Sequence, residues 1–340
     1  MFKRLISALI AGAAALSCTL TCHAEKKMEV QKKELAVPQK VIFLGDSIAA
    51  GYGLDGYTGT GSNPKDSYAY ILGEQYKKEL EGTCEGSMAN AAVSGDTSKD
   101  LVEKLESGEL DKYIFGSNAV VISIGGNDIM GPALNFLSED LGIKSQADIK
   151  NFDTSKLARP ETLSKINKHL ETINANLTDF KINVPKIISS IRAKTDAVIV
   201  FQTVYNPLDS NESIAVLSNI IGEKITELNS IITANSKKQD GSLNYLVCDV
   251  HAEFAGKSKE LTNIDQYDIH PNAEGHKVIS KLVDDQIRSR KYSFEQLVEV
   301  DTNSNGKKMS NSRIYLTIGL FFGGFISLFV IVWVKFKRSQ

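Results

Sequence analysis

An α/β fold, a parallel sheet with helices on both faces, is what this sequence predicts, and three observations predict it. Five short apolar runs recur along the chain: Val41–Leu44, Met88–Val93, Ala119–Ile124, Ala197–Val204 and Tyr245–Val250. Helical segments alternate with these strand candidates, the pattern of βαβ units. The blocks that could do chemistry all fall at the ends of the runs or in loops beside them, where open α/β sheets gather their ligands.

Taken in order, Val41–Leu44 ("VIFL") reads as a buried strand because it is β-prone, uncharged and stopped by Gly45. Tyr68–Leu80 is helical. Met88–Val93 is a weaker strand, and Leu101–Leu105 sits in a short helix. "AVVISI", "AVIVFQTV" and "YLVCDV" supply the third, fourth and fifth strands. The connection between the third and fourth is unusually long. Its second half is a helix, since Leu163, Ile166, Leu170, Ile173 and Leu177 recur at spacings of three and four. A second such stripe runs through Ile214, Leu217, Ile221, Ile225, Leu228 and Ile232. Core packing accounts for both stripes. The stretch 130–159 is too long for a plain connector and is expected to form a lid or rim.

The ends of the chain predict an address. Residues 1–24 have the order of a secretory signal peptide: a basic start, an alanine-rich apolar core, and small residues before a cut after Ala24. That core is too short to cross a bilayer, whereas Ile314–Val334 is uncharged and long enough. Lys335, Lys337 and Arg338 follow at once, so the tail 335–340 is expected on the cytoplasmic side. Between them lie an N-terminal extension (25–38), a folded domain (39–300) and a polar stem (301–313). The expected product is a single-pass membrane protein with its domain extracellular. Without the two basic residues of the leader and the four from Arg313 onward, 33 of 39 basic residues face 41 acidic ones, a net of −8. That balance disfavours nucleic acid as a partner.

Four blocks carry the chemistry. Gly45-Asp46-Ser47 puts a serine at a helix start, where its own N–H points outward beside the positive end of the helix dipole. An N-cap is the plain alternative for that serine. Gly95 closes "NAAVSG" and brings backbone and a free N–H near a ligand. Asn127, in "GGND" (125–128), offers a neutral side-chain donor to a developing oxyanion. His270 opens "HPNAEGH"; the proline after it keeps its backbone extended and lets a helix begin just beyond. An imidazole there can serve as general base. His169, His251 and His276 lack such a context and are expected to be structural.

Together these blocks resemble the SGNH hydrolases, the GDSL esterase/lipase family, over about residues 41–288. The resemblance implies a flavodoxin-like three-layer α/β/α fold with a five-stranded parallel sheet of order 2-1-3-4-5, and a serine esterase that uses neither metal nor cofactor. It implies Ser47 as nucleophile, His270 as base, and an oxyanion hole built from the N–H groups of Ser47 and Gly95 and the side chain of Asn127. The family's acid stands three residues before the histidine, a place held here by Tyr267. Asp268 is the expected replacement, since residues two apart share a face of an extended chain; Asp265 or a backbone carbonyl are the alternatives. The implied sheet order also puts Cys84 and Cys248 at opposite edges, so both are expected as free thiols.

The expected function is hydrolysis of carboxylic esters, with short-acyl glycan esters or lipid esters as substrates. A non-catalytic surface module binding glycan or protein is the alternative, and the displaced acid is its main support.

Overall fold

Strand propensity and burial build the centre first. The computed structural model describes residues 26–210 and 214–301. Strands β2 (Lys40–Gly45), β3 (Ser87–Asn90), β4 (Ala119–Ser123), β5 (Val198–Gln202) and β6 (Leu246–Cys248) form one parallel sheet ordered β3-β2-β4-β5-β6. This is the 2-1-3-4-5 arrangement. The central strands β2, β4 and β5 are buried almost throughout, as parallel strands covered on both faces must be. The edge strands β3 and β6 are shorter and half-buried.

The helices are α1 (Ser47–Ala50), α2 (Tyr68–Leu80), α3 (Ser98–Glu106), α4 (Gly126–Asn135), α5 (Pro160–Arg192), α6 (Ala215–Ala234) and α7 (Ala273–Arg288); shorter turns are named by residue. Side chains alternate across a strand, and the two faces divide accordingly. Ile42, Leu44, Val120, Ile122, Ile199 and Phe201 pack with α3, α4, α5 and α6 in one apolar core. Phe43 faces the other way, against Tyr68 of α2, with ring centroids 5.6 Å apart, and α2 packs on α7. Helix starts follow local chemistry: Thr97 and Asp100 form a capping box on α3, Asn272 caps α7, and Pro160 opens α5.

Helix α5 is twice the length that its sequence stripe marks, and it carries Pro185 in its interior. The stretch 130–159 is no open loop. It finishes α4, makes a π-type turn at Phe136–Asp140, and adds short helical turns at Gln146–Lys150 and Thr154–Ala158.

Leu35–Tyr292 is one compact unit, and the described residues outside it belong to another. There β1 (Lys26–Leu35) and β7 (Tyr292–Asp301) pair as a two-stranded sheet. The pairing takes in 293–300, which the sequence puts in the hydrolase domain, and much of 25–38, which it treats as a plain extension. The two partners are separated by the whole fold, so no local signal announces their union. The candidate signal peptide, the stem beyond Asp301, the candidate span and the tail lie outside the described residues. Among the described residues no helix is long and apolar enough to cross a membrane. Cys248 is a buried free thiol in edge strand β6, and burial pushes it up to about 12. Cys84 precedes the opposite edge strand, and no disulfide joins the two.

Candidate active site

The sheet order reverses between β2 and β4, and the ends of these two strands frame the site. At the end of β2, Gly45 takes φ +128°, and a Cβ there would stand 1.7 Å from the Ser123 carbonyl oxygen. Only glycine allows β2 and β4 this approach, which the Asp46 N–H seals by donating to the same oxygen at 2.9 Å. Asp46, rather than Ser47, is the N-cap of α1: its Oδ1 accepts the Ile48 N–H at 3.1 Å. Ser47 is the first helical residue, so its N–H has no intrahelical acceptor. Burial pushes the Asp46 carboxyl up to about 7, against the pull of the Ile48 N–H and the Ser123 hydroxyl.

At the end of β4, Gly125 caps α4 at φ +112°, and Asn127 lies in the first turn. The Asn127 amide donates to the Asp96 carbonyl at 2.8 Å, which leaves its second N–H for a ligand. Gly95, at φ +93°, immediately precedes Asp96. Space is open where its Cβ would stand, so the positive φ alone favours glycine there. The next residue of α4, Asp128, is buried and holds the start of α3: it accepts the Ser98 N–H at 3.0 Å and the Ser98 hydroxyl at 2.7 Å. Asn183 donates to that hydroxyl, and Asn176 to the Asp128 carbonyl. Burial raises the Asp128 carboxyl above its ordinary value despite these donors.

His270 comes from an irregular loop. Residues 261–263 run antiparallel to 270–272, tied by Asn263 N–H to His270 O (2.9 Å), Asn272 N–H to Leu261 O (3.0 Å) and a Thr262–Pro271 bridge. Inside this tie the chain makes a single turn at Ile264–Gln266, and Tyr267 reverses it in the left-handed region at φ 61°. Asp268 then folds forward. One of its oxygens takes both the His270 N–H (3.1 Å) and the His270 Nδ1 (2.5 Å). The two-residue spacing therefore works through an Asx turn, not through a shared strand face. Asp265 is exposed in the turn before it and makes no such contact. Burial opposes ionisation of Asp268, but the hydrogen bonds and charge of His270 outweigh it and hold the carboxyl below its usual range.

Across the cleft the His270 Nε2 lies 2.9 Å from Ser47 Oγ. Asp46, Ser47, Asn127, Met130, Tyr205 and His270 are among the residues lining an open cleft of about 360 Å³. Ser47, Asn127 and His270 thus line one cleft with Asp268 holding His270, whereas Gly95 is not among the residues of that lining and stands next to Asp96, whose carbonyl meets Asn127. His276 is fully buried. It accepts the Tyr68 N–H at 3.3 Å, and burial lowers it to about 3. His169 pairs with Asp140 away from this cleft. Among the described residues no cluster of His, Cys, Asp and Glu could hold a metal.

Sequence reasoning missed three contributors. Gly53, at φ +84°, leaves room for Asp268, whose Oδ2 would lie 2.9 Å from a Cβ there. Tyr52 packs on the His270 ring with centroids 4.5 Å apart. The Tyr205 hydroxyl donates to the Ile269 carbonyl at 2.7 Å. Burial, then the charges of Asp46 and Asp268, push that phenol well up, so it stays a donor. The repeated glycines of "GYG" at 51–53 were a visible signal, whereas nothing in the sequence links residue 205 to residue 269.

Comparison with known proteins gives this geometry its relatives. A family model described as the GDSL-like lipase/acylhydrolase family matches residues 43–278. The uncharacterized protein YpmR of Bacillus subtilis (strain 168) is 27% identical over 260 residues, covering 76% of this chain and 84% of its own. Among solved structures, the lipase Lip_vut3 from a goat rumen metagenome superposes with a TM-score of 0.50 at 18% identity, over 72% of this chain and 95% of its own. The acetylxylan esterase Axe2 from Geobacillus stearothermophilus reaches 0.46 at 17% identity, over 73% and 94%. Because the family model spans most of the chain and takes in all four blocks, this protein belongs to the GDSL-like lipase/acylhydrolase family and is a carboxylic ester hydrolase.

Proposed function

We propose that Ser47 is the nucleophile of this hydrolase, His270 its general base and acid, and Asp268 the group that orients the imidazole. The observation that carries the proposal is the unbroken line from Asp268 Oδ1 to His270 Nδ1 (2.5 Å) and from His270 Nε2 to Ser47 Oγ (2.9 Å). An ionised Asp268 on Nδ1 keeps the proton on that nitrogen and leaves Nε2 basic. His270 then takes the Ser47 proton as Oγ attacks the ester carbonyl, and returns it to the leaving alkoxide. The Ser47 N–H, the Gly95 N–H and the free Asn127 N–H receive the oxyanion. Water, activated by the same imidazole, releases the acyl group and restores Ser47. The Asx turn that brings Asp268 to the imidazole supports this reading over a non-catalytic module.

We further propose that the enzyme works at an outer membrane face, exported by residues 1–24 and held by 314–334, with 335–340 cytoplasmic. The support is the charge and hydropathy pattern of those segments. The reaction is tested with the full-length chain, p-nitrophenyl esters and a fluorophosphonate probe. Wild type is expected to hydrolyse the esters and to be labelled at Ser47. Ser47→Ala is expected to lose both, with kcat down by at least about 10³-fold. Wild-type labelling at a different serine would overturn the assignment.

A further inference from the structure

Tyr267 holds the place three residues before His270, yet its side chain takes no part in the line from Asp268 to Ser47. Among the described residues it is the one non-glycine residue with a positive φ, at 61°. A bulky side chain is costly to hold in that region, so neighbouring contacts must fix it. On the backbone, the Tyr267 N–H donates to the Ile264 carbonyl at 2.9 Å, and the Asp268 N–H to the Asn263 carbonyl at 3.2 Å. The turn at Tyr267 lies between these two bonds, and it sets the direction in which Asp268 leaves toward His270.

The side chain reaches a distant partner. The Tyr267 hydroxyl donates to the carbonyl of Ile143, 124 residues away in the long connection between β4 and α5. Ile143 is itself well fixed. Its side chain is buried in the main core, and its N–H donates to the Leu137 carbonyl at 2.8 Å. The next two residues are held by Asp148, which accepts the Lys144 N–H at 2.9 Å and the Ser145 hydroxyl at 2.8 Å. Before Ile143, Asp140 meets His169 at 2.7 Å and Lys165 at 3.0 Å, both on α5. Burial, then the charge of Asp148, raise the Tyr267 phenol above its ordinary value, so it stays a donor. The connection that the sequence marks as a lid or rim is thus fastened to α5 and to the core, and it meets the histidine loop at Tyr267.

We propose that Tyr267 is a positioning residue for the ester hydrolysis, and that its bond to Ile143 braces the left-handed turn which aims Asp268 at His270. The proposal rests on Asp268 orienting the imidazole and adds to that reading what orients Asp268. It also gives the segment around Ile143 a task in the reaction: it is the fixed wall against which the histidine loop leans. Small displacements of an aiming group are expensive in rate, so loss of the brace should be read in kcat and not in substrate binding.

The test uses the full-length chain, p-nitrophenyl acetate and two substitutions, with melting curves to check their folding. Tyr267→Phe keeps the ring and removes the hydroxyl. Tyr267→Asn is too short to reach Ile143, but asparagine tolerates the left-handed region, so the backbone turn survives it. Each is expected to lower kcat about tenfold, with KM within about twofold of wild type. In an Asp268→Asn background each is expected to cost less than about twofold more, because Tyr267 acts through Asp268. A wild-type kcat in either folded variant, or a tenfold loss that persists on top of Asp268→Asn, overturns the brace while Asp268 keeps its role. A wild-type kcat in Asp268→Asn alone overturns the orienting role of Asp268 instead, so the two failures are told apart.

Discussion

Ser47 and His270 face each other across 2.9 Å, yet the two arms that carry them are built in opposite ways. The serine arm is regular structure: a buried strand, a glycine pressed against the neighbouring strand, and a capped helix start. The histidine arm has no strand or α-helix of its own between Leu261 and Ala273. It is held by backbone ties at its base, a left-handed Tyr267, an Asx turn at Asp268 and a hydroxyl from Tyr205. The proposed nucleophile must also offer its own N–H as a donor, and a helix start leaves that N–H free. An imidazole needs only to be aimed, and a loop with enough cross-ties aims it.

This contrast can be broken at three points, from the largest expected effect to the smallest. Asp268→Asn keeps the Asx turn but loses the charge that fixes the imidazole tautomer, and kcat is expected to fall about 10²- to 10⁴-fold. Asp265→Asn should stay within twofold. Steady-state ester hydrolysis by both variants decides the matter, and equal losses would mean that the loop does not aim the histidine as described.

On the serine arm, the Asp46 carboxyl pushed up to about 7 makes a prediction about pH. The folded state holds this proton more tightly than the unfolded chain, whose value is near 3.8. Its contribution to stability is therefore complete below about pH 4 and is lost as pH rises through about 7, at up to about 1.4 kcal/mol per pH unit. Asp46→Asn removes the titration while its amide oxygen can still accept the Ile48 N–H. Urea unfolding at pH 5, 6 and 7 should show wild type losing stability relative to the variant. Parallel curves would mean that Asp46 is ionised in the fold throughout.

The smallest effect belongs to Tyr205→Phe, which unties Ile269 without touching a reacting atom. The half-buried Ile269 carbonyl loses its donor, at a cost of about 1 kcal/mol in stability. As a positioning change it should lower kcat more than it alters KM. A drop in melting temperature with kcat unchanged would leave Tyr205 a purely structural tie.

How far the sequence reached follows the same contrast. The serine arm was legible, because "VIFLGDS" states a strand, a stop and a helix start within seven residues. Asn127 was legible from the paired glycines before it. The acid was narrowed to two aspartates and a backbone carbonyl, since spacing alone does not reveal a left-handed residue between them. The reach of α5 past Leu177 was missed although the stripe itself runs on through Phe180, Val184, Ile187 and Ile191, with Pro185 on another face of the helix. The β1–β7 pair was missed because its strands meet across more than 250 residues.

What the sequence determined by itself is whatever is set by neighbours a few residues away: strand runs, helix stripes, caps, the glycines that permit close approach, and the four blocks of the site. What only the tertiary structure decided is set by groups far apart in the chain. Asp268 is chosen over Asp265 because the 261–263 and 270–272 segments close a loop that forces Tyr267 to φ 61°. Asn127 is oriented by the carbonyl of Asp96, which folding alone brings to it.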